Sequence, residues 1–192
     1  HDGLAIFGTT GEANSFSLNE KKRNIEFLIE NRIDPKVLIP GTGSSSLNDA
    51  IAMTKHSSKM NVRAVLLLPP FFYKNVTNEG VINYYRNIIE SVEDQNFQYI
   101  LYHIPQNTYV PINFKIIETL LKLYPKNVVG LKDSSGDYDN MLKTDSMEIG
   151  LYPSQILDLS GQLKFTATCE DAINQRQLSY LQQKLSMNNL NY

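Results

Sequence analysis

The regular alternation of short apolar runs with longer amphipathic segments limits the fold of this chain most narrowly. Each segment between the apolar runs carries apolar residues at helical spacing. The predicted strands cover residues 4–7, 37–39, 64–68, 99–102 and 128–131, and the predicted helices cover residues 18–31, 47–60, 80–92 and 114–123. Strands joined by helices of this length form βαβ units, so their strands run parallel.

Two parallel architectures fit this pattern, a barrel and a doubly wound open sheet. No Gly-x-Gly-x-x-Gly follows the first predicted strand, which removes the commonest nucleotide-binding version of the open sheet. Polar residues at several strand ends favour the barrel, because active sites of barrels lie at the carboxyl ends of their strands. The sequence therefore predicts an α/β protein with a (β/α)8 TIM barrel, forming a single incomplete domain over residues 1–192.

The pattern weakens after Met141. Residues 149–152 and 163–167 are predicted strands and residues 171–185 a helix, but the roughly ten residues between these strands are few for a crossover helix. The sequence also begins at His1, without an initiator Met and directly before a strand. We interpret the chain as a fragment of a longer protein.

Composition excludes several classes of function. The chain has 192 residues and a net charge of −2, and its sequence lacks the basic patch that would predict contact with nucleic acid. No apolar run approaches the roughly 20 residues of a membrane span. Cys169 is the single cysteine, so the sequence allows neither an internal disulfide nor a cysteine-cluster metal site. A reducing, cytoplasmic location is expected.

The fifth apolar run ends in a lysine, Lys132. Strict alternation would place Val128, Gly130 and Lys132 on one face of the strand and Val129 and Leu131 on the other. From such a position a side chain enters the active site of a barrel. The neutral amine of a lysine adds to ketones to form a Schiff base, and apolar walls favour the neutral form. The alternative is a lysine that extends from a strand end into water.

Two other strand ends carry polar groups. Gly8–Glu12 supplies two threonine hydroxyls and a glycine-rich backbone, which suits a carboxylate or phosphate, although an ordinary capped turn has the same residues. Tyr102 shares a face with Ile100 and is placed to relay protons, although a half-buried tyrosine with one hydrogen-bond partner is the simpler reading. His103 follows on the opposite face, toward the helices, and is interpreted as structural.

These strand ends resemble the dihydrodipicolinate synthase/N-acetylneuraminate lyase family of class I, Schiff-base-forming barrel enzymes. The resemblance extends over about residues 3–143 and rests on the order and spacing of four motifs. The motifs are Gly8-Thr9-Thr10-Gly11-Glu12, Pro70-Phe71-Phe72-Tyr73, Tyr102-His103-Ile104-Pro105 and Gly130-Leu131-Lys132-Asp133.

The resemblance implies a role for each site residue. Lys132 forms a Schiff base with pyruvate or another 2-oxo acid, Tyr102 moves protons, and Thr10 links Tyr102 into a hydrogen-bonded relay. Thr9, Thr10 and Gly11 hold the substrate carboxylate, and Asn107 is a further substrate-binding residue. The family also implies no metal, no organic cofactor and a homotetramer built as a dimer of dimers.

Three positions of the sequence allow a closer comparison with the family. Tyr73 is the candidate for the relay tyrosine that family members lend to a neighbouring subunit. Asn107 stands where dihydrodipicolinate synthases carry an arginine. This residue and the neighbouring motifs resemble the 4-hydroxy-2-oxoglutarate aldolase-like branch of the family more closely. Tyr109 stands where the family usually has glycine, and we expect it to narrow the pocket. Compared with the family, the first strand is absent and the last two units are irregular.

The expected function is therefore reversible aldol cleavage or condensation of a 2-oxo acid. One alternative is a dihydrodipicolinate synthase that condenses pyruvate with aspartate semialdehyde. Another is a non-catalytic barrel that binds 2-oxo acids.

Overall fold

The computed structural model describes residues 3–137 and 139–140 in full, together with the backbone of residues 150–151, 156–157 and 163–164. Parallel strands alternate with helices along this part of the chain. The helices are α1 (Leu18–Glu30), α2 (Leu47–Lys59), α3 (Asn78–Ser91), α4 (Pro105–Thr108) and α5 (Phe114–Leu123). The strands are β1 (Val65–Leu67), β2 (Tyr99–His103), β3 (Val128–Asp133), β4 (Gly150–Leu151), β5 (Ile156–Leu157) and β6 (Leu163–Lys164).

Strands β1 to β4 form one sheet in chain order, and each pairs with the next in parallel. Two further segments extend the sheet through single parallel bridges, Leu4 with Leu38 and Gly41 with Leu66. The predicted strands at 4–7 and 37–39 are therefore shorter than expected. One reason is that Phe7 has a φ of 57°, and the other is that Pro35–Val37 forms a 3-10 turn.

The four long helices confirm the sequence prediction to within two residues at each end. Local signals fix their starts. Helix α1 begins with a capping box, in which the Ser17 hydroxyl accepts from the Glu20 N–H and the Glu20 carboxylate accepts from the Ser17 N–H. Ser46, Thr77 and Asn113 cap the other three helices. The short helix α4 was not predicted.

A β-bulge changes the alternation predicted for β3. Tyr99 pairs with Val128 and Ile100 pairs with Gly130, so Val129 is one residue more than β2 has over the same span. Val128 consequently packs with the sheet–helix core and Val129 with the opposite face. The prediction that Val128 shares a face with Lys132 is wrong, because the bulge resets the alternation.

The two faces of the sheet carry separate apolar clusters. A large cluster lies between the sheet and the helices, where Ile25, Met53, Ile116 and Leu120 are almost fully buried. A smaller cluster covers the other face of the strands. It contains Ala64, Leu66 and Ile100, with Ala5, Ile39 and Val129 packed against them. The second cluster lies on the face of β2 and β3 from which Tyr102 and Lys132 project.

Gly41 lies where two backbone segments approach closely. A Cβ atom at this position would lie 2.0 Å from the carbonyl oxygen of Phe7. We expect Gly41→Ala to lower the free energy of unfolding by roughly 2–4 kcal/mol, because the backbone must move apart. Urea unfolding measures the change. The control is Gly3→Ala, where the nearest atom to the added Cβ lies at 3.4 Å. Gly41→Ala should lower the free energy of unfolding clearly more than Gly3→Ala does. Equal free energies of unfolding would contradict the packing described.

The last elements differ from the predicted parallel strands. β4 is parallel to β3, but β6 pairs antiparallel with β5. Only residues 158–162 separate β5 from β6, and a parallel connection needs a dozen or more residues. The predicted helix at 171–185 lies outside the described residues. Among the described residues, the helices are all too short or too polar to cross a membrane.

Candidate active site

Tyr102 and Lys132 occupy neighbouring positions on β2 and β3. The two residues are paired in register and project from the same face of the sheet. Both are buried, with 3 % of Tyr102 and 4 % of Lys132 exposed. The Lys132 Nζ atom lies 4.3 Å from the centroid of the Tyr102 ring. The structure thus brings together the two residues that the sequence named as amine and phenol, and Lys132 does not extend into water.

Thr9 supplies the hydroxyl next to the phenol. Its Oγ1 atom lies 3.1 Å from the Tyr102 hydroxyl, within hydrogen-bond distance. The resemblance implied Thr10 for this contact, whereas the hydrogen bond described for Tyr102 is with Thr9. The two hydroxyls are adjacent in sequence, and the relay role that the resemblance implies for Thr10 stays a prediction.

The turn that carries both threonines has two backbone conformations that are unusual for bulky residues. Phe7 and Glu12 have φ values of 57° and 49°. Backbone hydrogen bonds close the turn, from the Glu12 N–H to the Thr9 carbonyl and from the Ala13 N–H to the Gly8 carbonyl. The turn therefore holds Thr9, Thr10 and Gly11 in a tight loop at the carboxyl end of the first parallel segment.

A cavity of about 360 Å³ lies over these strand ends. Its lining comes from the turns that follow three parallel segments, including Gly8, Thr9, Phe71, Ile104, Asn107 and Thr108. Asn107 lies on α4 and lines the same cavity as Thr9. The cavity has room for a small organic acid next to Thr9, whose hydroxyl lies within hydrogen-bond distance of Tyr102.

Tyr73 lies outside the group of buried site residues. It is 76 % exposed and its ring meets that of Phe72, which is 68 % exposed. Lys74 ties this loop to α4, since its amine donates to the carbonyl oxygens of Phe71 and Thr108. Tyr109 is also exposed, with a φ of 53° that explains why glycine suits this position. Its side chain is not among those that line the cavity described above, and neither are those of Tyr102 and Lys132. Narrowing of the pocket by Tyr109 stays a prediction.

His103 and Asp133 form a second buried pair that sequence reasoning did not assign to the site. They are paired in register directly after Tyr102 and Lys132, on the opposite face. The His103 Nδ1 atom accepts a hydrogen bond from the Ile112 N–H at 3.1 Å. Burial lowers the pKa of His103, against the opposing effect of the Asp133 and Asp137 carboxylates. The sequence signal was the adjacency of both residues to the predicted site residues.

Potential metal ligands do not gather at this site. Within the described part of the chain, no three His, Cys, Asp or Glu side chains are placed to hold a metal ion. An amine, a phenol and a hydroxyl meet at the strand ends, and a carboxamide lines the same cavity as the hydroxyl. These groups suit an organic substrate with oxygen atoms.

Parallel strands with a buried lysine and tyrosine at their carboxyl ends define a class of α/β barrel proteins. A family model described as "Dihydrodipicolinate synthetase family" matches residues 1–157. The chain belongs to this family, as its motifs indicated.

Curated relatives agree with the family match. An uncharacterised DapA-like lyase of Chloroflexus aurantiacus is 38 % identical over 151 residues, which cover 79 % of this chain and 48 % of the relative. The 4-hydroxy-tetrahydrodipicolinate synthase of Pelagibacter ubique is 32 % identical over 141 residues, covering 73 % of this chain and 46 % of the relative. The chain thus spans about half the length of these relatives.

Solved structures show the same fold. The dihydrodipicolinate synthase of Agrobacterium tumefaciens superposes with a TM-score of 0.75 at 26 % identity, and the 2-keto 3-deoxygluconate aldolase of Picrophilus torridus with a TM-score of 0.71 at 30 % identity. Each comparison covers 79 % of this chain and 54 % of the solved chain. The fold is that of a TIM barrel, of which the described residues form a part.

Proposed function

We propose that this chain carries the reactive centre of a Schiff-base-forming carbon–carbon lyase that acts on pyruvate or a related 2-oxo acid. The observation that carries the proposal is the buried Lys132 amine beside the Tyr102 ring, whose hydroxyl meets Thr9. Family membership supports it, because the similar proteins include a DapA-like lyase, synthases and an aldolase.

The proposed chemistry follows from the groups at the strand ends. The neutral Lys132 amine adds to the ketone carbon of the 2-oxo acid, and loss of water gives an imine. The imine withdraws electrons from the neighbouring carbon, so a carbon–carbon bond there can break or form. Tyr102 moves protons to and from the ketone oxygen during imine formation. Thr9, Thr10, Gly11 and Asn107 are the candidates for binding the carboxylate and the rest of the substrate.

Borohydride trapping tests this proposal directly. The protein is incubated with pyruvate and a panel of other 2-oxo acids, reduced with borohydride, and digested for mass spectrometry. We expect a reduced adduct on the peptide that contains Lys132, and none on that peptide without a 2-oxo acid. Folded protein that leaves Lys132 unmodified with every member of the panel would contradict the proposal.

The contact between Thr9 and Tyr102 leads to a prediction that separates the two threonines. We expect Thr9→Val to slow turnover by roughly 10- to 100-fold, because it removes the hydroxyl that orients the phenol. Thr10→Val is the matched control and should have the smaller effect on the maximal rate. Steady-state kinetics with the trapped 2-oxo acid measure both variants. A larger loss of rate in Thr10→Val would instead support the relay implied by the resemblance.

The side chain of Asn107 helps to distinguish the aldolase reaction from the synthase reaction. A neutral carboxamide at this position offers hydrogen bonds without the charge of an arginine, which favours an aldolase over a synthase that binds a second carboxylate. Turnover of aspartate semialdehyde with pyruvate in a coupled assay would favour the synthase. Tight pyruvate binding without any reducible adduct would instead support a non-catalytic barrel.

Assembly and location are also part of the proposal. We expect a cytoplasmic homotetramer, a dimer of dimers, in which Tyr73 reaches the site of a neighbouring subunit. The exposure of Phe72 and Tyr73 supports a contact of this kind, since adjacent exposed aromatic side chains are typical of interfaces. Light scattering of the purified protein tests the tetramer.

A further inference from the structure

We propose that His103 is a positioning residue for this site and that its Nδ1 atom, in accepting from the Ile112 N–H, fixes the loop behind the Tyr102–Lys132 pair. The inference rests on the proposed function for its kinetic part, but its structural part stands on contacts alone. Neither His103 nor Ile112 is among the residues that line the cavity described above.

The hydrogen bond from Ile112 closes a loop that carries a site residue. Residues 104–111 leave the end of β2, form α4 with Asn107, and return at Ile112, whose N–H meets the His103 Nδ1 atom at 3.1 Å. His103 is 6 % exposed and Ile112 is 2 % exposed. A buried N–H that loses its acceptor keeps its full desolvation penalty, so the base of this loop depends on the imidazole.

The backbone of His103 joins the same loop to the end of β3. Its carbonyl oxygen accepts from the Ser134 N–H at 2.8 Å, and the Gln106 side chain donates to the Ser134 carbonyl at 2.6 Å. Asp133 is held in turn, since its two carboxylate oxygens accept from the Ser135 N–H and the Asn140 carboxamide. His103 therefore connects the strand of Tyr102, the loop of Asn107 and the segment that follows Lys132.

These contacts also fix the protonation of the imidazole. Because Nδ1 accepts a hydrogen bond it carries no proton, so the ring is neutral with its proton on Nε2. A protonated ring would place an N–H against the Ile112 N–H. Burial favours the same neutral form. The residue that follows the proposed relay tyrosine thus acts as a fixed acceptor and not as an acid.

Two variants separate the acceptor from the volume of the ring. In His103→Asn the Oδ1 atom occupies the place of Nδ1 and accepts from Ile112, although the ring volume is lost. In His103→Phe the volume is kept and the acceptor is lost. We expect kcat to fall by roughly 10- to 100-fold in His103→Phe with KM for the 2-oxo acid changed by less than about threefold. His103→Asn should retain kcat to within about threefold.

Three measurements decide the inference. Steady-state kinetics, on variants that circular dichroism shows to be folded, should show a lower kcat and a nearly unchanged KM in His103→Phe. Hydrogen exchange should show the Ile112 amide protected in the unmodified protein and in His103→Asn, and unprotected in His103→Phe. Nitrogen-15 NMR of the unmodified protein at neutral pH should show an unprotonated Nδ1.

The outcomes are distinguishable from failure of the proposed function. A folded His103→Phe with unchanged kcat, a His103→Asn as slow as His103→Phe, or a protonated Nδ1 would overturn the inference. If the unmodified protein forms no trapped adduct, the proposed function fails by itself. The exchange and NMR results then decide whether His103 holds the loop: loss of Ile112 protection in His103→Phe alone supports it, and equal protection in both variants overturns it.

Discussion

Replacing Lys132 with alanine is expected to abolish both the borohydride-trapped adduct and turnover. The side chain is 4 % exposed and its amine lies 4.3 Å from the centroid of the Tyr102 ring, so no water-exposed lysine can take its place without rebuilding the site. We expect the rate to fall by at least roughly 10³-fold, since a covalent intermediate is lost altogether. Mass spectrometry of the trapped protein and a steady-state assay measure the two effects.

The controls for Lys132 separate loss of the amine from loss of folding. Lys132→Met keeps the length of the side chain in an apolar form and should be as inactive as Lys132→Ala. Lys126→Ala removes an exposed lysine just before the same strand and should leave the rate unchanged. Retained adduct in Lys132→Met, in protein with an unchanged unfolding midpoint, would mean that another amine forms the imine.

Replacing Tyr102 with phenylalanine is expected to reduce turnover by roughly 10²- to 10⁴-fold, the range for loss of a general acid–base group. The ring stays in place beside Lys132, but the hydroxyl that meets Thr9 at 3.1 Å is removed. Imine formation should slow because its proton transfers lose their relay. Single-turnover trapping, with borohydride added at successive times, measures that step apart from the later ones.

Tyr99 provides the matched control on the same strand. It is equally buried but lies on the opposite face of β2, in the sheet–helix core, where its ring meets that of Phe97. Tyr99→Phe should change stability more than rate, whereas Tyr102→Phe should do the reverse. Equal effects of both variants on the rate would remove Tyr102 from the relay.

The features that the sequence predicted well depend on local signals. Helix α5 begins and ends where apolar periodicity placed it, because that signal lies within a few residues, and in the structure Asn113 caps its start. The meeting of Tyr102 and Lys132 was also predictable. Each residue ends its own apolar strand, and the carboxyl ends of parallel strands lie at the same edge of a sheet.

The features that could not be predicted from the sequence depend on contacts between distant residues. The hydrogen bond between Thr9 and Tyr102 joins residues 93 positions apart, and Thr9 lies in a turn where Phe7 takes a positive φ that no local pattern predicts. The partner of His103 lies nine residues away, at the far end of a loop, so its role could not be read from alternation alone. The bulge at Val129 exists only in relation to β2.

That bulge has a consequence for insertions and deletions. Because β3 holds one residue more than β2 between Val128 and Lys132, removal of Val129 would yield a straight ladder with Lys132 still opposite Tyr102. Strand β2 has no such spare residue, and shortening it by one would turn the phenol toward the helices. Among natural variants of this barrel, changes in length should therefore be tolerated in the lysine strand and rare in the tyrosine strand.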